Sequence, residues 1–130
     1  MKIDISYLEK AIISLEEVLL LPKTPIIRDS AIQRFEYTFE FTVKFIRRYI
    51  EQNYSNISNY DSNNFRDVIR TALQLNIISK SFDDWIKYRD ARNKTSHGYN
   101  EKAAEEVYLV SKEFLSEAKF VYGSLKQKWL

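Results

Sequence analysis

Asp29-Ser30-Ala31-Ile32-Gln33-Arg34-Phe35-Glu36-Tyr37-Thr38-Phe39-Glu40-Phe41-Thr42-Val43-Lys44-Phe45-Ile46-Arg47-Arg48-Tyr49-Ile50 decides the fold. Ile32, Phe35, Phe39, Thr42, Val43, Ile46 and Ile50 return at three- and four-residue steps, the period of one helix face. Phe41, Phe45 and Tyr49 form a second stripe. A helix that is apolar on more than one face must touch neighbours on more than one side, so this one is expected at the centre of a bundle or in a dimer contact. Asp29 or Ser30 is the expected opening residue.

The flanking sequence repeats the pattern. Upstream, Asp4 caps an expected helix carrying Ile5, Leu8, Ile12, Leu15, Val18 and Leu19, which Pro22 and Pro25 then end. Downstream, Asn53 to Asn64 is polar and aperiodic and reads as the longest loop. Phe65, Val68, Ile69, Ala72 and Leu73 mark a third helix, with Asn76 at its close. Ser81-Phe82-Asp83-Asp84 has capping-box form ahead of Trp85, Ile86 and Tyr88. Gly98 is a helix stop and Asn100 an N-cap, so Arg92 to Tyr99 falls at a helix end and turn. The last helix carries Ala103, Val107, Val110, Phe114, Ala118, Val121 and Leu125. The expected fold is all-α: four or five helices in an up-and-down bundle forming one domain over residues 1–130.

Composition agrees and narrows the chemistry. Two glycines and two prolines in 130 residues are too few for a turn-rich β-fold. Zero cysteines and one histidine exclude thiolate zinc sites, disulfides, thiol catalysis and multi-histidine metal sites within one chain. Twenty basic against 18 acidic residues leave a charge of only +2, so any contact with RNA must be local. Nine Tyr, eight Phe and two Trp exceed the needs of a minimal helical core, which places some of them at an expected subunit interface. The amino-terminal stretch lacks the pattern of a signal peptide, and no apolar run is of membrane-spanning length, so a cytoplasmic location is expected.

Chemistry concentrates in Arg92-Asn93-Lys94-Thr95-Ser96-His97-Gly98-Tyr99, which holds the lone histidine. Histidine exchanges protons near neutral pH, and the planar arginine fork suits a phosphate. The plain alternative is a histidine that caps helix carbonyls. Five residues apart, Arg92 and His97 point about 140° from each other on an ideal helix. They converge only if the helix ends between them or a two-fold axis supplies one of them from a second subunit, and both arrangements favour a dimer cleft. Lys44, Arg47 and Arg48 could track an RNA backbone, but a short basic cluster on a helix is usually its solvated face, and that is the expectation here. Glu36 and Glu40 share a face suited to hydrogen bonding or partner contact, and no metal is assigned to them.

The whole chain resembles the HEPN superfamily, in particular the helical subunits encoded beside a minimal nucleotidyltransferase. Asp29 to Glu40 looks like that family's second-helix signature, and Phe65-Arg66-Asp67-Val68-Ile69-Arg70-Thr71-Ala72 resembles its third-helix segment. Arg92, His97 and Tyr99 are similar to its R-x4-H-x-Y motif. Two positions depart from the pattern: Val43, where many relatives carry Trp before the lysine, and Gly98, where Thr is common.

The resemblance implies a toxin that is a metal-independent endoribonuclease, active as a homodimer on RNA, using no cofactor of its own. Arg92 and His97 would be catalytic, with Asn93 orienting Arg92 or the phosphate. The partner nucleotidyltransferase antitoxin would transfer AMP from ATP to Tyr99 and silence the nuclease. The competing reading is a non-catalytic substrate-binding subunit of a two-chain nucleotidyltransferase, in which Arg92 and His97 bind a phosphate and cleave nothing. A purely structural adaptor is the third.

Overall fold

The computed structural model describes residues 4–54, 60–94 and 100–129. Five helices follow in order: α1 (Ser6–Leu19), α2 (Pro25–Asn53), α3 (Phe65–Gln74), α4 (Phe82–Lys94) and α5 (Glu101–Trp129). No strand occurs among the described residues. α2 touches all four other helices, the central position its two apolar faces demand. It pairs most extensively with α5, while α1 and α4 flank this pair without meeting each other.

Side-chain pairs give the directions. Thr38 Oγ1 donates to the Ala11 carbonyl at 3.2 Å and Arg34 to the Ser14 carbonyl at 2.7 Å, so α1 and α2 run antiparallel. Arg28 meets Glu101 and Glu105 at one end while Tyr49 meets Trp129 at the other, so α2 and α5 run parallel. Lys87–Glu113 and Lys94–Glu106 set α4 antiparallel to α5. The long helices α1, α2, α4 and α5 thus form an up-down-up-down bundle in which the short α3 bridges two of them.

The core is built around Phe114. Its ring centroid lies 5.5 Å from Phe35, 5.7 Å from Trp85 and 5.1 Å from Tyr88, all edge to face, with Phe39 at 5.7 Å in a tilted contact. The second stripe of α2 is covered within the chain. Phe41 stacks on Tyr7 of α1, and Tyr49 meets Trp129 of α5.

Several boundaries differ from the sequence reading. α2 opens at Pro25, not at Asp29 or Ser30: Thr24 is the N-cap and accepts from the Ile27 N–H at 3.1 Å, with Pro25 in the first helical position. Pro25 therefore starts α2 and does not end α1. Asp4 accepts from the Ser6 N–H at 2.9 Å from one residue outside the cap position, which is Ile5. At the start of α5 the buried alanine is Ala104, not Ala103, and Val110 is only partly buried. The expected caps Ser81 and Asn100 do accept first-turn N–H groups, at 3.1 Å from Asp84 and 2.8 Å from Lys102. Asn76 closes α3 with φ at 59°, the left-handed conformation that asparagine tolerates.

The joined starts of α2 and α5 make the bundle acid-sensitive. Arg28 is only 3% exposed and donates to Glu101 at 2.7 Å, Glu105 at 3.1 Å and Asp29 at 3.1 Å. Lys23 also pairs with Glu105. Hydrogen bonds from Lys23 and then Arg28 hold the Glu105 carboxyl below its ordinary 4.5. A carboxylate depressed in the folded state stabilises the fold above its unfolded pKa, and that contribution disappears as pH falls through the folded value. Melting temperature followed from about pH 6 down to about pH 3 will therefore fall more steeply for wild type than for Glu105→Gln. Parallel curves would contradict it.

Candidate functional site

α4 delivers Arg92 and Asn93 in its last turn, and its register is fixed at both ends. At its start, the buried Glu117 of α5 accepts from the Ser79 and Lys80 N–H groups at 3.0 and 2.8 Å and from Trp85 Nε1 at 2.9 Å. At its end, Lys94 pairs with Glu106. The start of α5 is pinned in turn through Arg28 and Glu101. Both flanks of the 95–99 segment are therefore anchored. His97 and Tyr99 lie outside the described residues.

Arg92 is 26% exposed and held by Glu40 of α2, 52 positions away in sequence. Its Nε donates to Glu40 Oε1 at 2.9 Å, and its Nη2 donates to the same oxygen. One edge of the fork is thereby used, and the Nη1 edge remains for another acceptor. Glu40 orients Arg92, a role the sequence reading left as generic hydrogen bonding.

The pair borders a cleft of about 370 Å³ between α2, α3 and α4. α2 contributes Phe39, Glu40, Val43 and Arg47, and α4 contributes Arg89, Arg92 and Asn93. Phe65, the first residue of α3, completes the lining. α2 and α4 each supply residues three or four positions apart, the spacing that puts side chains on one face. Three arginines against one glutamate make the cleft a local positive site on a nearly neutral protein.

Arg47 belongs to this cleft and not to the solvated face expected for Lys44, Arg47 and Arg48. Lys44 and Arg48 are exposed, Arg48 lying 5.9 Å from the Phe45 ring centroid. Arg89 was not singled out by sequence reasoning. Its spacing to Arg92 and Asn93 was the available signal, since residues three and four apart share a helix face. Glu36, the other member of the expected acidic face, does not line the cleft.

A second groove of about 540 Å³ runs between α4 and α5 over an apolar floor of Ile86, Val107 and Val110. Its rim carries Lys87 and Lys94, both paired to α5 glutamates. Among the described residues no cluster of three or more His, Cys, Asp or Glu is arranged to hold a metal, and no helix is long and apolar enough to cross a membrane.

Comparison with known proteins gives this arrangement a context. The family described as nucleotidyltransferase substrate binding protein like matches residues 3–127. A Haemophilus influenzae protein described as probable ribonuclease HepT is 31% identical over a 139-residue alignment, covering 98% of this chain and 94% of that protein. A solved Haemophilus influenzae structure, described as the fold of a substrate binding domain of a nucleotidyltransferase, superposes with a TM-score of 0.83 at 29% identity, covering 95% of this chain and all of that one. A Thermus thermophilus structure superposes with a TM-score of 0.77 at 30% identity, covering 92% of this chain and 98% of that one.

Proposed function

We propose, from the fact that this chain belongs to the nucleotidyltransferase substrate-binding protein family, that it is a HEPN-type toxin: a metal-independent endoribonuclease acting as a homodimer and silenced by a nucleotidyltransferase antitoxin. The observation that carries the reading is Arg92, fixed by Glu40 at the border of an arginine-rich cleft and five positions before the only histidine. His97 takes the proton of a ribose 2′-hydroxyl, whose oxygen attacks the adjacent phosphorus. Arg92 stabilises the charge that builds on the phosphate oxygens. The 5′-oxygen leaves and is protonated through solvent, to which His97 returns the proton it took, giving a 2′,3′-cyclic phosphate and a 5′-hydroxyl. Asn93 orients the arginine or the phosphate from the same helix turn.

In this reading the Tyr99 hydroxyl attacks the α-phosphate of ATP on the partner and pyrophosphate leaves, so the motif gains bulk and a phosphodiester charge. The tethered nucleotide then competes with RNA for the cleft. The protein works in the cytoplasm with no cofactor of its own.

Subunit mixing tests the homodimer cleft. Arg92→Ala and His97→Ala proteins, each inactive, are unfolded together and refolded as a mixture. If each site draws Arg92 and His97 from different subunits, half of the dimers are mixed and each has one intact site, so about a quarter of wild-type activity returns. No recovery would place both residues of a site in one subunit and remove the shared cleft.

Glu40 gives a second prediction. Glu40→Gln keeps the size of the side chain and removes the charge that offsets Arg92 in the cleft. RNA then binds more tightly because a repelling carboxylate is gone, while kcat falls about tenfold because the guanidinium is less well fixed. Steady-state kinetics read the split: both KM and kcat fall. A kcat at or above wild type would exclude an orienting role.

The competing reading, a substrate-binding subunit of a nucleotidyltransferase, draws on the description of the Haemophilus influenzae fold. It places a nucleotide phosphate on Arg92 and leaves His97 without a proton-transfer role. Nucleotide affinity that survives His97→Ala, in a protein that cuts no RNA, would favour it.

A further inference from the structure

Arg47 lines the cleft and carries a hydrogen-bond donor that no described residue accepts. Its Nε is buried without a hydrogen-bond partner, and the neighbouring Tyr60 hydroxyl is likewise buried and unpartnered among the described residues. A buried donor left without an acceptor is costly, and no competing hydrogen bond from a described residue ties down Arg47 through its Nε. Burial raises the Tyr60 phenol above its ordinary 10, with Glu51 adding to the shift and Arg47 opposing it, so Tyr60 remains a protonated donor beside that arginine. Across the cleft Arg89 lies one helical turn before Arg92. Its guanidinium sits 5.1 Å from the Phe65 ring centroid, and its Asp90 contact of 3.6 Å is too long for a hydrogen bond. Stacking on an aromatic face leaves the in-plane donors of an arginine available for a phosphate.

The cleft thus contains one arginine held by Glu40, one in a looser 3.6 Å ion pair with the exposed Asp90, and Arg47, which no carboxylate hydrogen-bonds among the described residues. We propose that Arg47 and Arg89 form a second phosphate subsite, holding the RNA phosphate next to the one at Arg92, so that the cleft grips a single strand at two successive phosphates. This rests on the ribonuclease reading and extends it: the substrate is an unpaired RNA segment bound through its backbone. Arg47 and Arg89 are binding residues here and touch no reacting atom.

The test measures affinity for an oligoribonucleotide blocked by 2′-O-methyl groups, over a series of KCl concentrations, for wild type, Arg47→Gln, Arg89→Gln and Arg47→Lys. Each phosphate contact to a single strand contributes about 0.7 to the slope of log affinity against log salt. Each glutamine variant is expected to lower the slope, by at most that amount because the other arginine still touches the same phosphate, whereas Arg47→Lys preserves it. On unblocked RNA the loss in kcat/KM for the glutamine variants is expected chiefly in KM. Thermal melting confirms that each variant is folded, and Arg89→Gln carries the test if Arg47→Gln is not.

Wild-type slope and affinity in the glutamine variants, with cleavage still dependent on His97, would overturn the second subsite and leave the ribonuclease reading in place. Wild type that neither binds nor cuts RNA would overturn both. If such a protein binds ATP, and the glutamine variants bind it less well, the arginines hold a nucleotide's phosphates instead.

Discussion

Replacing His97 by alanine is expected to lower the rate of RNA cleavage by about 10²–10⁴-fold, the range supplied by a positioned proton-transfer group. The size of the loss follows from the inventory of side chains. With one histidine and no cysteine in the chain, no second side chain with an ordinary pKa near neutrality can take the ribose proton. The described cleft offers arginines, which remain protonated, and Glu40, which is engaged with Arg92. Arg92→Lys is expected to recover little of the activity lost in Arg92→Ala, because an ammonium keeps the charge but not the fork that Glu40 holds by two donors. Single-turnover rates at saturating RNA separate these effects from binding. A His97→Ala protein within tenfold of wild type would assign the proton transfer elsewhere.

Glu117→Ala is expected to destabilise the fold by about 3–5 kcal/mol, a large share of the stability of an ordinary domain. Glu117 is 1% exposed in the middle of α5 and collects four donors: the N–H groups of Ser79 and Lys80, the Ser79 hydroxyl and Trp85 Nε1. The Trp85 ring is fully buried, so its N–H has no route to water once the carboxylate is gone. Removing the side chain also opens a cavity beside the aromatic cluster around Phe114. Glu117→Gln is expected to cost less, since the amide retains one acceptor while turning a donor toward other donors. Urea unfolding measures both. A change below about 1 kcal/mol for Glu117→Ala would mean that water reaches these donors in the folded protein.

The bundle was legible where one residue's neighbours lie on its own helix. Ile32 to Ile50 and Val107 to Leu125 carry their stripes in local spacing, and Ser81 and Asn100 carry their caps within three residues. Thr24-Pro25 was misread because proline both stops helices and suits their first position, and only the position of the next helix decides between the two. Glu117 went unread although an acid one residue before Ala118 in an apolar stripe was a visible signal. Its partners are 32 to 38 residues away, and sequence spacing does not reveal them.

The candidate site divides along the same line. Arg92 and Asn93 were readable as a motif. Their pairing with Glu40 and the recruitment of Arg47 and Arg89 depend on how α4 is rotated against α2, a property of packing around Phe39 and Trp85. The basic run Lys44-Phe45-Ile46-Arg47-Arg48 offers three cations at different helix angles, and only Arg47 faces the cleft.

The most direct test of the central claim is chemical identification of the RNA ends produced in EDTA by the protein made without its partner and shown by intact mass to be unmodified. The account predicts 2′,3′-cyclic phosphate and 5′-hydroxyl ends from wild type and none from His97→Ala at equal concentration. No cleavage by the unmodified protein, equal cleavage by both, or ends bearing a 3′-hydroxyl would contradict it.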